Sequence, residues 1–176
     1  MGVIFDLDQT LIDSRAAESL RKSREWAKVY AAIPSLIPFP GVPGLLSHLA
    51  ASGVPVGIVT SSPASYCNKV VAHWRWKIDA VIGYHDTALR KPAPDPILLA
   101  LTRIKREKDK AISVGDDPRD IVASRKAGVY VVGALWGAAD RVALIASAPD
   151  ALCESVPQLV DLLCRRLSIP SPKPAA

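Results

Sequence analysis

No apolar stretch of this chain approaches the roughly twenty residues that span a bilayer, so no membrane-crossing helix is expected. No secretory leader is expected either. Met1-Gly2 runs straight into an apolar segment that Asp6 and Asp8 interrupt, which leaves no hydrophobic region for a secretory signal peptide. Cysteine is scarce: Cys67, Cys153 and Cys164 are odd in number and spaced for neither a disulfide framework nor a zinc site. They read as small, reduced, buried residues of a cytoplasmic protein. There is no internal repeat. What remains is 176 residues with 49% apolar content, enough for one core of ordinary size.

The strongest signal lies in the first ten residues. Gly2-Val3-Ile4-Phe5 reads as a short buried strand, and it leads directly into Asp6-Leu7-Asp8-Gln9-Thr10. Two acids at the exit of an apolar strand are costly together, because like charges held close and partly desolvated disfavour ionisation. A divalent cation is the simplest compensation, although a polar turn with a capping acid is the plainer alternative. Three further polar clusters stand where an α/β sheet would bring them to the same edge. Val54-Pro55-Val56-Gly57-Ile58-Val59 ends in Thr60-Ser61-Ser62-Pro63, where hydroxyls and open N–H groups ahead of a helix suit an anion. Ala111-Ile112-Ser113-Val114-Gly115 leads into Asp116-Asp117-Pro118-Arg119-Asp120, with Pro118 suited to a first helical turn. Between them, Arg90-Lys91-Pro92-Ala93-Pro94-Asp95-Pro96 presents a lysine on a proline-stiffened loop.

Taken together, these residues resemble the signatures of the haloacid dehalogenase-like hydrolases, and in particular their phosphatase branch and its phosphoglycolate phosphatase-like members. The resemblance runs in order from Val3 to about Leu163: Asp6, Asp8 and Thr10, then Thr60, then Lys91, then Gly115-Asp116-Asp117 with Asp120. It implies a two-step phosphoryl transfer. Asp6 would be the nucleophile and Asp8 the general acid and base. Thr60, Ser61 and Lys91 would hold the phosphoryl group. Mg²⁺ would be bound by Asp6, the Asp8 carbonyl and Asp116, with Thr10, Asp117 and Asp120 in support. The acid at position 8 favours phosphate esters over the dehalogenase branch, whose leaving group needs no proton. The implied activity is a Mg²⁺-dependent phosphomonoester hydrolase acting on a small organic phosphate or nucleotide. A phosphomutase, or a non-catalytic interaction module on the same fold, is the alternative.

Strands are predicted near 2–6, 54–60, 79–83, 111–115 and 129–134, alternating with helices at 14–31, 42–52, 63–76, 94–107, 118–127 and 156–167. That alternation predicts an α/β fold: a parallel sheet covered by helices on both faces. The resemblance adds a three-layer, Rossmann-like strand order of 5-4-1-2-3 and places ligands at the topological switch point. A single domain is expected over 1–167, with 168–176 a disordered tail. Relatives with a large cap insert it after the first strand. Here only a stub, about 14–42, stands in that place, expected as one helix from Arg15 to Ala32 and a proline-broken segment.

The stub is basic, with Arg15, Arg21, Lys22, Arg24 and Lys28 against Glu18 and Glu25. A solvated helix face is the ordinary reading; steering of an anionic substrate is the functional one. Lys22 and Lys28 also stand where a phosphonate hydrolase of the family would carry a Schiff-base lysine, though nothing marks either. The net charge of +5 and isoelectric point near 9.2 do not by themselves call for nucleic acid. Neither a membrane nor a nucleic-acid partner is expected. Trp26 and Tyr30 fit a packing pair, Trp74 and Trp76 a helix end closed against the sheet, and His85 an exposed loop residue near the site. His48 and His73 carry no signal.

Overall fold

The computed structural model describes residues 1–172. Six parallel strands form the central sheet: β1 (Gly2–Phe5), β4 (Val56–Val59), β5 (Ala80–Ile82), β6 (Ala111–Gly115), β7 (Tyr130–Ala134) and β8 (Ala151–Cys153). A two-stranded ribbon, β2 (Ile12–Asp13) with β3 (Ile37–Pro38), stands apart from them. The sheet order is β5-β4-β1-β6-β7-β8, every neighbouring pair parallel. The five strands expected from the sequence occupy the expected order. The sixth, β8, extends the edge beyond it, a three-residue strand too short to show a periodic pattern.

The strands of β1 and β4 are buried along their whole length, as continuous apolar runs must be when both faces are covered. Alternation decides which helix each side chain meets. Val3 and Phe5 point into a core shared with Leu45 of α3 (Val42–Ala51), Cys67 of α4 (Ala64–His73) and Leu159 of α8 (Val156–Leu167). Ile4 points the other way, toward Ile97 of α5 (Asp95–Arg103) and Ala123 of α6 (Pro118–Lys126). A short α7 (Arg141–Ala146), not foreseen, packs Leu144 beside Ile121 and Val131.

The stub is broken where one helix was expected. A 3-10 turn at Arg15–Ala17 leads to α1 (Glu18–Lys22), the chain turns at Ser23–Glu25, and α2 (Trp26–Ala32) follows. Arg24 adopts the left-handed conformation (φ 59°), and the Glu25 N–H turns back to the Leu20 carbonyl. Both features stop an α-helix. The ribbon closes the base of the insert by pairing Ile12 with Pro38 and Asp13 with Ile37. Ala17, Val29, Ile33 and Leu36 enter the same core as β1, so the stub is anchored to the central sheet.

Of the segment 168–176, expected to be a disordered tail, the first residues are packed. Ile169 lies against the main core, and the Pro170 carbonyl is 2.9 Å from His48 Nε2. Residues 173–176 lie outside the described residues. Among the described residues, no helix is long and apolar enough to cross a membrane.

One close approach governs the carboxyl edge of β6. A Cβ on Gly115 would stand 2.4 Å from the Asp120 Cβ, so only glycine lets α6 come this near the strand. Gly115→Ala is expected to destabilise the fold by about 1–3 kcal/mol, the usual cost of overpacking. Equilibrium denaturation measures this, and an unchanged midpoint would refute the packing argument.

Candidate active site

Because β1 lies between β4 and β6, the chain leaves it toward one side of the sheet and later returns on the other. The two neighbouring strand exits open a crevice, as at the switch point of an open α/β sheet. Phe5 pairs with Val114, and the Asp6 N–H continues the ladder to the Val114 carbonyl at 2.9 Å. Asp6 therefore lies beside the segment Gly115-Asp116. Carboxylate oxygens of Asp6, Asp116 and Asp120 all fall within 4.8 Å of one another.

Lys91 reaches into this cluster from the loop between β5 and α5. Its Nζ donates to Asp6 Oδ1 and Asp120 Oδ1, both at 2.6 Å, and to the Val59 carbonyl at 3.0 Å. Its side chain is only 5% exposed. Burial alone would lower its pKa, but the Asp120 and Asp6 carboxylates outweigh that effect and raise it above the ordinary lysine value. Asp6 is raised by burial and by Asp120 and Asp8, with Lys91 opposing. Asp116 is raised by burial and by Asp6 and Asp120, while the Thr10 hydroxyl, donating to Asp116 Oδ1 at 2.7 Å, opposes the shift. Thr10 is itself fully buried and held by the Trp136 indole N–H, which donates to its carbonyl at 3.1 Å. Three crowded carboxylates against one ammonium leave an excess of negative charge. An all-oxygen donor set of this kind fits a hard divalent cation.

Asp117 stays outside the cluster. It caps α6, accepting from the Arg119 N–H at 2.8 Å and pairing with the Arg119 guanidinium at 2.9 Å. Asp120 completes the capping box by accepting from the Asp117 N–H, so one residue both starts the helix and supplies an acid to the site.

Asp8 stands in different surroundings. Its Oδ2 accepts from the Ser62 hydroxyl at 2.9 Å and pairs with Arg21 Nη1 at 2.7 Å, and its Oδ1 accepts from the Tyr66 hydroxyl at 3.0 Å. The Thr60 side chain is buried, its hydroxyl accepting from the Ser62 N–H at 3.0 Å, while Ser61 is exposed on the same strand-to-helix turn. Asp6, Asp8, Thr60, Ser61, Lys91 and Asp116 line one open cleft of about 880 Å³. The site residues expected from the sequence thus lie at the cleft or beside it, with Asp117 on its wall but outside the cluster of three acids.

That Ser62, Tyr66 and Arg21 would hold Asp8 was not foreseen. Ser62 lies on the turn before α4 and Tyr66 in its first turn. Nothing distinguished Arg21 from the other cations of the stub. Arg15 pairs with Asp13, Lys22 with Glu18 and Lys28 with Glu25, as an ordinary solvated face would. Trp26 packs against Tyr30 and Tyr66, with ring centroids 6.4 and 6.1 Å away, and Trp76 is buried in the core. His85 is exposed at the cleft rim, edge-on to Tyr84. The three cysteines are buried and free.

The parallel sheet, with acids, hydroxyls and a lysine gathered at its carboxyl edge, defines an α/β protein whose candidate site lies at the switch point. The chain belongs to the haloacid dehalogenase-like hydrolase family, whose model matches residues 15–134. It is 40% identical over 101 residues to a phosphoglycolate phosphatase of Xanthomonas campestris pv. campestris (strain 8004), covering 56% of this chain and 46% of that protein. It is 33% identical over 130 residues to the phosphoglycolate phosphatase of Escherichia coli (strain K12), covering 71% of this chain and 50% of that one. The chain spans about half the length of these curated relatives. A hydrolase from Pseudomonas syringae shares the fold, with a TM-score of 0.77 and 21% identity over 94% of this chain and 98% of that one.

The raised carboxylates give a stability prediction. With Asp6 and Asp116 shifted upward, the folded chain binds more protons than the unfolded chain, so stability is lost as pH rises from the ordinary carboxylate range through the raised values. In chelator, the melting temperature is expected to fall between about pH 5 and pH 8. Asp6→Asn should flatten the slope and stabilise the chelated protein at the upper end by on the order of 1–2 kcal/mol. A melting temperature that rises over this range in chelator would contradict the charge assignment.

Proposed function

We propose that this chain is a Mg²⁺-dependent phosphomonoester hydrolase that works through an aspartyl-phosphate on Asp6. The observation that carries the reading is the unequal treatment of two carboxylates at one strand exit. Asp6 is locked to a buried lysine among other acids, whereas Asp8 is held by hydroxyls and an arginine across the cleft.

An Asp6 carboxylate oxygen attacks phosphorus, and the bond from phosphorus to the ester oxygen breaks. Asp8 delivers a proton to that leaving oxygen, then takes one from the water that attacks the phosphoenzyme, which releases phosphate and restores Asp6. Thr60 and Ser61 bind the phosphoryl oxygens at the turn before α4, where the helix start favours negative charge. Lys91 offsets charge on Asp6 and on the transferring group, so its contribution is electrostatic and positional. Mg²⁺, held by Asp6, Asp116 and the Asp8 carbonyl with Asp120 in support, would neutralise the remaining charge and align the phosphoryl oxygens.

The substrate is a small phosphorylated metabolite. Phosphoglycolate is the first candidate, because relatives at 33–40% identity carry that name. The open cleft and the anchored stub favour transfer to water over retention of the phosphoryl group for a mutase.

Phosphate release from p-nitrophenyl phosphate and from aliphatic phosphates should require Mg²⁺, stop in chelator and fall at least about 10³-fold in Asp6→Asn. Asp8→Asn should impair aliphatic esters more than the nitrophenyl ester, whose leaving group needs no proton. No release from any ester by folded, Mg²⁺-supplied protein would reject the reading. Tyr66→Phe removes one bond to Asp8 and should lower kcat about tenfold with little change in KM, at a stability cost of about 1 kcal/mol. An unchanged kcat would remove Tyr66 from the catalytic support.

A further inference from the structure

Arg21 is the cation whose place in the cleft hydrolysis does not require. Asp8 already has two anchors on the rigid scaffold: Ser62 Oγ at 2.9 Å and Tyr66 Oη at 3.0 Å, on side chains that are 5% and 0% exposed. Arg21 comes instead from α1, a five-residue helix of the stub, and its Nη1 meets Asp8 Oδ2 at 2.7 Å. A guanidinium has five N–H donors in a planar fork matched to a carboxylate or phosphate. Here Nη1 is paired with Asp8, while Nε is buried without a partner among the described residues. An unpaired buried donor is costly, so this pose leaves the guanidinium under-satisfied.

The other charges of the rim sharpen the point. Arg15, Lys22 and Arg119 line the cleft, but each is paired with a carboxylate of its own segment: Asp13, Glu18 and Asp117. Arg24 also lines the cleft, exposed on the turn that follows α1, and makes no ion pair among the described residues. Two arginines three positions apart therefore line the cleft, Arg21 of them beside Asp8. Asp8 serves the leaving oxygen, so whatever the leaving group carries extends toward them.

We propose that Arg21, with Arg24, forms a subsite for a second anionic group carried on the leaving-group side of the phosphate ester. This rests on the hydrolase reading. The group is a carboxylate or a second phosphate, and Arg21 exchanges its single bond to Asp8 for a forked pair with it while Ser62 and Tyr66 keep Asp8 in place. The short stub selects substrates through this exchange and not by enclosing them.

The test compares matched esters: phosphoglycolate against phosphoglycolamide for a carboxylate, and ethanediol bisphosphate against 2-hydroxyethyl phosphate for a second phosphate. The wild-type protein should prefer one anionic member over its neutral counterpart by about 10- to 100-fold in kcat/KM, the range of a charge-assisted hydrogen bond. The pair that shows the preference identifies the anion. Arg21→Gln should abolish most of that preference through KM, Arg24→Gln part of it, and Arg21→Lys should retain some. Loss of rate on both members in equal proportion, with the preference intact, would make Arg21 a partner of Asp8 only and overturn the proposal. Calorimetric binding separates this failure from that of the hydrolase reading. Phosphonoacetate should bind more tightly than methylphosphonate in the presence of Mg²⁺, by a margin that depends on Arg21. Such binding with no ester hydrolysed would sink the hydrolase and keep the subsite; hydrolysis without any anionic preference would do the reverse.

Discussion

The buried ammonium of Lys91 is the constraint on which the site depends. It lies 2.6 Å from both Asp6 and Asp120, at 5% exposure, in a place that without acids would cost a charged lysine several kcal/mol. The acids in turn could not share the crevice without it. Asp6, Asp116 and Asp120 would repel one another and partly take up protons, which their upward-shifted pKa values for Asp6 and Asp116 reflect. Much of the surrounding architecture holds this arrangement. Gly115 admits Asp120, the capping box orients it, Thr10 steadies Asp116, and parallel pairing of β1 with β6 sets Asp6 beside Asp116. The remaining negative charge is what invites a divalent cation.

Asp8 has charge partners of its own, although it also helps to raise Asp6. Its charge is met by Arg21 and two hydroxyls, so two acids that are nearly adjacent in sequence stand in unlike surroundings. Such separation is how one strand exit can hold both a nucleophile and a proton carrier. It also explains why the stub matters despite its size. The stub does not enclose the cleft, yet it is anchored through the β2–β3 ribbon and the core, and it brings one guanidinium to the acid.

The sheet and most of the site were legible in the sequence because both are local signals. An apolar run that ends in a polar cluster marks a strand exit, and three such exits place Asp6, Thr60 and Asp116, while Lys91, on a proline-stiffened loop, was joined to them by the family resemblance. What was hidden depends on packing. The Arg21–Asp8 pair is set by the left-handed turn at Gln9 (φ 66°), the strand β2 and the 3-10 turn at Arg15–Ala17 that lie between the two residues, none of which helix propensity foretells. Asp117 and Asp120 were interchangeable as sequence candidates, and only the capping box decided that Asp117 would turn to Arg119 and Asp120 to the acids. The strand β8 and helix α7 are too short to declare themselves by periodicity. The packed start of the tail depends on Ile169 finding the core.

The most direct measurement of the central claim is chemical trapping of the covalent intermediate. Protein quenched during turnover of a phosphate ester in the presence of Mg²⁺ is reduced with borohydride, which converts an aspartyl-phosphate to homoserine, and the peptides are sequenced by mass spectrometry. Conversion at Asp6, absent when substrate is omitted, is the expected result. Conversion at Asp8, Asp116 or Asp120 instead, or sustained turnover with none at Asp6, would contradict it.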